Sequence, residues 1–189
     1  MTLLIIGLAL FLGTHLLPVF RGLREGLRAK WGENGYKGRF SLASGAGLVL
    51  IVIGYAIAPG EPRWFDPSLG AIHAARLAVP IALVLIAAAN MKGHIRAALR
   101  HPMLIGTILW SSVHLLANGE VRATLLFGGF LAWAVIDLIA SVTRPAVPRA
   151  WVPAAKFDAM AIGGGIVLSL LIMTFHRWLF GVAVAPWGV

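Results

Sequence analysis

The sequence predicts an all-α integral membrane bundle of six transmembrane helices with both termini outside, and three observations carry that prediction. Only 12% of the 189 residues are charged while 59% are apolar, whereas a soluble domain carries about 25% charge. The apolar residues gather into six runs, 3–20, 41–58, 71–91, 102–117, 121–141 and 159–180, and a bilayer-crossing helix needs ~17–25 such residues. The basic residues alternate between the connecting segments. Twelve of the sixteen fall in 21–40 (Arg21, Arg24, Arg28, Lys30, Lys37, Arg39), 92–101 (Lys92, Arg96, Arg100) and 142–158 (Arg144, Arg149, Lys156). Segment 59–70 holds only Arg63, and 118–120 holds none. Positive residues stay on the cytoplasmic side, so the first, third and fifth connections are expected inside.

Each element has its own reason. Run 3–20 lacks a basic leader and a small-residue cleavage site, so it reads as a retained span. In 21–40, Leu23, Leu27 and Trp31 recur every four residues among the bases, which predicts a short helix lying on the inner surface, with Trp31, Tyr36 and Phe40 in the interfacial belt. Ser41, Gly45 and Gly47 on the second run, and Gly163, Gly164 and Gly165 on the sixth, permit close helix packing. Pro80 predicts a kink in the third. The fourth is the shortest and most polar, which puts it inside the bundle. Pro145, Pro148 and Pro153 predict an extended fifth connection. No internal repeat is visible, so residues 1–189 read as one membrane domain without inverted symmetry.

Composition also excludes. The net charge of +9 sits in membrane connections and leaves no basic helix or aromatic platform for nucleic acid. The absence of cysteine removes disulfides, thiolate ligation of haem and covalent haem attachment.

The polar residues within the apolar runs are the functional candidates, because a polar side chain in hydrocarbon is costly unless something satisfies it. Thr107, Ser111, His114 and Asn118 follow 4-3-4 spacing and form one stripe on the fourth run, bordered by Trp110. His101 lies about 140° around that helix and serves another surface; Arg100-His101-Pro102 also reads as a helix start with proline in the first position. His15 stands on the first run among Leu8, Phe11, Leu12 and Val19. His73 and Arg76 sit one turn apart at the outer end of the third run, with Arg76 able to snorkel. Asp137 on the fifth run is a partner for Arg100 or His101 or else reaches the interface, His176 and Arg177 are interfacial, and His94 is a loop residue. Neutral histidines from facing helices are a common way to hold haem iron in a bundle. Zinc is disfavoured because no three-ligand spacing is present. A Ser-His hydrolase built on Ser111 or Ser112 lacks a nucleophile elbow.

Several of these segments resemble the NnrU family of bacterial membrane proteins. They are Leu10-Phe11-Leu12-Gly13-Thr14-His15, Gly32-Glu33 through Tyr36, Arg39-Phe40-Ser41-Leu42, Arg100-His101-Pro102-Met103-Leu104, Trp110, His114-Leu115-Leu116-Ala117-Asn118-Gly119, Leu126-Phe127-Gly128, Ala132-Trp133-Ala134-Val135-Ile136-Asp137 and Gly181-Val182. That resemblance implies a multi-pass protein of the bacterial inner membrane associated with nitrite and nitric oxide metabolism. The domain is also similar to zeta-carotene isomerase, a haem b enzyme acting on a linear carotene. Carried over, its axial ligands fall at His15 and His114 and its ligand-switch cysteine at Ser111. The serine counts against the switch and against isomerase activity without touching haem binding. A fainter likeness, through Arg100, His101, Pro102 and Gly106, is to isoprenylcysteine-type membrane methyltransferases.

The resemblance therefore implies a haem b site with His15 and His114 as ligands, and with Trp110, Ser111, Asn118, Arg100 and His101 around the cofactor. At ~1.5 Å per residue, His15 lies about 8 Å from the inner end of its run and His114 about 18 Å from the start of its own, so His73 is the rival partner for His114. The expected partners are membrane lipid, an apolar lipid-soluble substrate, and a respiratory or denitrification complex. The alternatives are an S-adenosylmethionine site at Arg100 and His101, and a non-catalytic assembly partner.

Overall fold

A computed structural model describes residues 1–145, 150–185 and 187–188. Among them are seven helices and no strand: α1 (Thr2–Leu16), α2 (Arg21–Ile57), α3 (Leu69–Ala88), α4 (His94–Leu99), α5 (Pro102–Ala117), α6 (Val121–Val142) and α7 (Ala155–Phe180). Four of them, α2, α3, α6 and α7, are long and apolar enough to cross a membrane. α1 and α5 are apolar but shorter, at 15 and 16 residues. The outward faces are greasy: Leu42, Leu77 and Trp178 are 75, 74 and 80% exposed. A surface of that kind is stable against lipid tails and not against water.

The chain divides into two compact units. The first comprises Met1–Pro67 with Asn118–Arg144, and so holds α1, α2 and α6. Here α1 and α2 pack antiparallel along a seam of small residues. A methyl group at Gly7 would lie 2.6 Å from the Ile51 amide nitrogen, and one at Gly47 2.8 Å from that of Phe11. Gly54 meets the Leu4 backbone still more closely. Moving from Leu4 to Phe11 up α1 corresponds to moving from Gly54 to Gly47 down α2, and the Thr14 and Ser44 hydroxyls, 3.2 Å apart, continue the register. Of the residues expected to pack this face, Gly47 does so, whereas Gly45 faces open space and Gly54 takes its place. Leu4, Leu8 and Ile51 form the core, with Phe11, Leu125 and Phe130 against it.

The connection 21–40 is helical as expected, and it joins the second span across a kink within α2. Its break lies at Gly32, with φ +69° and ψ 167°, a backbone region that side chains avoid. Helical geometry is interrupted there, so α2 is two helical stretches joined at a kink, Arg21–Trp31 on one side and Glu33–Ile57 on the other. α1 ends at Leu16, earlier than its apolar run, because Pro18 follows and the chain turns through Leu17–Phe20. Arg144 Nη2 donates to the Pro18 carbonyl at 2.9 Å and anchors that turn. At the other end of the unit, the Trp64 amide donates to the Gly119 carbonyl at 2.8 Å. Arg122 ties the same region together, donating to Glu120 Oε2 (2.7 Å) and to the Ala58 carbonyl (3.0 Å) while lying over the Tyr55 ring.

The second unit, Ser68–Ala117 with Pro145–Val189, holds α3, α4, α5 and α7. α3 and α5 are antiparallel. The Ser68 amide donates to the Leu116 carbonyl at one end of the pair, and Gly106 approaches the Ala82 carbonyl, at 2.7 Å from an added methyl, towards the other. Gly165 brings α7 against Val84 of α3, while Gly163 and Gly164, also expected to pack, meet open space. The third connection was expected to be a plain loop; it contains α4, whose first turn is capped from α7. Asp158 accepts from the amides of His94 and Ile95 (2.8 and 2.9 Å) and from His94 Nδ1. These bonds, that to the Ile95 amide foremost and then that to His94, hold the Asp158 carboxyl below its ordinary range. His94 is thus a docking residue, which its position in a polar loop did not reveal. In the fifth connection, Pro148 and Arg149 lie outside the described residues.

Candidate functional site

The two short apolar helices end in the same way. His15 stands in the last turn of α1 and His114 in the last turn of α5. Each ring uses Nδ1 against the carbonyl four residues back: His15 to Phe11 at 2.7 Å, His114 to Trp110 at 2.9 Å. A carbonyl only accepts, so both Nδ1 atoms carry the proton and donate, and the lone pair of each neutral ring sits on Nε2. This second hydrogen bond fixes tautomer and ring plane, the usual arrangement behind a metal-ligating imidazole. In both helices the residue whose carbonyl accepts this bond is aromatic, and its ring lies against the histidine, at 4.2 Å stacked for Phe11 and 5.3 Å tilted for Trp110.

Beyond that shared lock the surroundings differ. His15 sits in an aromatic box. Phe40 from α2 lies at 5.3 Å, and Trp133 from α6 meets the ring edge-on at 5.7 Å. The Trp133 indole N–H also donates to the His15 carbonyl at 3.2 Å, occupying an acceptor that the end of α1 leaves over. Trp133 and Phe40 were not among the site residues expected from sequence. The signal was present, an aromatic residue on each of two further spans, but nothing in one sequence says which aromatics converge.

The stripe on α5 divides. Ser111 is fully buried, and its hydroxyl donates to the Thr107 carbonyl at 2.6 Å; Thr107 does the same to Met103 at 2.9 Å. Both hydroxyls are thus spent on their own helix, and Ser111 is not placed as a nucleophile for His114. His114 is half-buried beside Trp110, and His176 stands on α7 of the same unit. His176 Nδ1 in turn donates to the Val182 carbonyl at 2.7 Å. His73 stands exposed on α3 in the same unit. Asn118 lies just past the end of α5, half-buried. Asp137 accepts from Ser141 at 3.4 Å.

Arg100 and His101 occupy a strained corner. The His101 amide donates to the Leu99 carbonyl at 2.6 Å, closing a three-residue turn that puts Arg100 at φ 62°, ψ −46°. Arg100 is the non-glycine residue with positive φ among the described residues, a conformation that costs ~1–3 kcal/mol. His101 then accepts the first helical bond from Ile105, and Pro102 opens α5 as expected. No group of three or more histidine, aspartate or glutamate side chains among the described residues is arranged to hold a metal ion.

His15 belongs to the first unit and His114 to the second. No curated protein and no solved structure matches the chain. The family model described as NnrU protein matches residues 3–184. Nearly the whole chain is covered, histidine-bearing helices included, and the chain therefore belongs to the NnrU family.

Proposed function

We propose that this chain is a haem-b-binding, multi-pass protein of the bacterial inner membrane, with His114 and His15 as axial ligands. The observation that carries the reading is the shared histidine lock, with Nδ1 held by a carbonyl four residues back and an aromatic ring alongside. It leaves Nε2 the coordinating atom and fits both rings to an iron. When bound, the haem supplies a redox-active iron. The chain's own residues set its surroundings: Phe11, Phe40 and Trp133 exclude water around His15, and Trp110 flanks His114. These apolar walls suit a lipid-soluble, polyene-like substrate, and the family association suggests nitrite and nitric oxide metabolism as the setting.

The proposed topology is six spans with both termini outside. α1 and α5 join the four longer helices, and twelve of the sixteen basic residues fall on one side. His73 and His176 are the rivals to His15, because they share a unit with His114.

The test is an absorption spectrum of the full chain purified in detergent, oxidised and then dithionite-reduced. A sharp Soret band with split α and β bands is expected, collapsing in His114→Ala. Collapse in His15→Ala identifies the second ligand; collapse in His73→Ala or His176→Ala instead moves it into the second unit. A featureless visible spectrum, unchanged by added haem, overturns the reading in favour of an assembly partner. The strained Arg100 favours one second reading, a cofactor site for S-adenosylmethionine at Arg100 and His101. Titration calorimetry decides it, and no binding heat ends it.

A further inference from the structure

Where the turn after α1 meets the break in α2, the first unit carries an open cavity of about 220 Å³. Its walls include Pro18 from the turn, Arg24 from the basic stretch of α2, and Tyr36, Lys37 and Phe40 from beyond Gly32. The bend at Gly32 lets the two stretches of one helix close around the same space.

Arg24 is the residue that needs explaining. Its Nε is shielded from solvent and has no hydrogen-bond partner among the described residues. A buried guanidinium N–H without an acceptor is a rare and costly arrangement that calls for a missing anion. The anion in the wall, Glu33, is already engaged. It pairs with Arg28 and, at 3.1 Å, with Lys37, and those hydrogen bonds, Arg28 first, hold its carboxyl below the ordinary range. Arg24, Arg28 and Lys37 against Glu33 leave an excess of positive charge around the cavity. Tyr36 and Ser41 are hydroxyl-bearing neighbours.

The other wall is apolar. Pro18 and Phe40 line it, and Phe20, Leu23 and Leu42 stand exposed nearby in sequence at 59, 55 and 75%. The cavity therefore sits where the basic stretch of α2 gives way to its apolar stretch, the level at which a headgroup meets its acyl chains. We propose that it binds a phosphate group, presented by an anionic phospholipid of the inner leaflet, with Arg24 as the principal donor and Lys37 at the rim. A guanidinium suits phosphate oxygens through paired N–H donors, and an apolar wall beside it suits a lipid better than a free ion.

The experiment is native mass spectrometry of the full chain released from detergent micelles and titrated with phosphatidylglycerol, phosphatidylcholine or inorganic phosphate. Phosphatidylglycerol is expected to remain bound in preference to phosphatidylcholine. Arg24→Gln should weaken it at least about tenfold, the loss expected for one charge-assisted hydrogen bond in a shielded site. Arg21→Gln removes an equal charge from an exposed position outside the cavity and should leave retention unchanged. Lys37→Gln should give a smaller loss in the same direction, and reads the site even if Arg24→Gln fails to fold. Inorganic phosphate binding in an Arg24-dependent way, without phosphatidylglycerol, would keep the phosphate site and overturn its lipid source. Equal losses in Arg21→Gln and Arg24→Gln would overturn the site altogether, reducing it to general attraction by a basic segment.

Discussion

His15 and His114 repeat one local device in two unlike settings. Both stand in the last turn of a short apolar helix, and both donate Nδ1–H to a carbonyl beneath an aromatic ring. Around His15 the remaining space is filled by aromatics from two other helices, one of them hydrogen-bonded to its backbone. Around His114, the neighbouring hydroxyls of Thr107 and Ser111 turn back onto α5 itself. The first histidine is held against aromatics of α2 and α6, while the hydroxyls beside the second are spent within α5. Disturbing α2 or α6 should therefore move His15.

Trp133→Ala tests that contrast most severely. Trp133 is buried, and its loss removes an edge contact with His15 and the donor to the His15 carbonyl. A buried tryptophan truncated to alanine costs about 3–5 kcal/mol, so a fall of that size is expected in equilibrium unfolding in mixed micelles. If His15 is a ligand, the Soret band should shift as well. Trp133→Phe keeps most of the volume and loses the hydrogen bond, a change of about 1 kcal/mol. A Trp133→Ala protein as stable as the parent would show that the aromatic box does not hold His15.

Arg100→Gly is expected to act in the opposite direction. Glycine accepts φ 62° without the steric cost arginine bears there, and relief of about 1 kcal/mol should appear as increased stability. If Arg100 is retained for binding, the same variant should lose haem or S-adenosylmethionine affinity while it gains stability. A neutral result in both measurements would remove Arg100 and His101 from the candidate site.

Ser111→Ala should be milder. The hydroxyl bonds only to carbonyls of its own helix, so its removal leaves no buried donor or acceptor on another element stranded. A change under about 1 kcal/mol is expected and, if the chain binds haem, an unaltered spectrum. A large spectral change would mean that Ser111 acts on His114 despite its hydrogen bonds, sinking the view that the α5 hydroxyls are spent on the helix.

The two histidines were legible in the sequence as candidates, the lock and the box around them were not, and the difference between lock and box is one of range. A histidine four residues after an aromatic, in the last turn of a helix, meets a carbonyl by helical geometry alone. Convergence of Phe40 and Trp133 on His15 depends on the seam of Gly7, Gly47 and Gly54, which fixes the α1–α2 register. Glycines were visible in the sequence, but Gly45 and Gly163 look no different from Gly47 and Gly165 until their neighbours are known. The amphipathic spacing of Leu23, Leu27 and Trp31 foretold a helix; its continuation through Gly32 depends on one backbone angle that no composition encodes. Asp158 and His94 lie 64 residues apart and are joined only by the docking of α4 on α7, so the third connection looked like a loop.

That docking gives the smallest effect and the clearest sign. Asp158 is ionised when it accepts from the amides of Ile95 and His94, and its folded carboxyl titrates below the ordinary value of 3.8. A depressed folded value means that the capping stabilises α4 at all pH above the unfolded carboxyl's range and fades as pH falls through the folded one. Hydrogen exchange of the α4 amides should accordingly be independent of pH near neutrality, once the intrinsic rate is removed, and lose protection only in acid. Asp158→Asn keeps an acceptor oxygen but no charge. It should show weaker protection at neutral pH and no acid step. An acid step that survives in Asp158→Asn would assign the titration to another carboxylate and detach α4 from this cap.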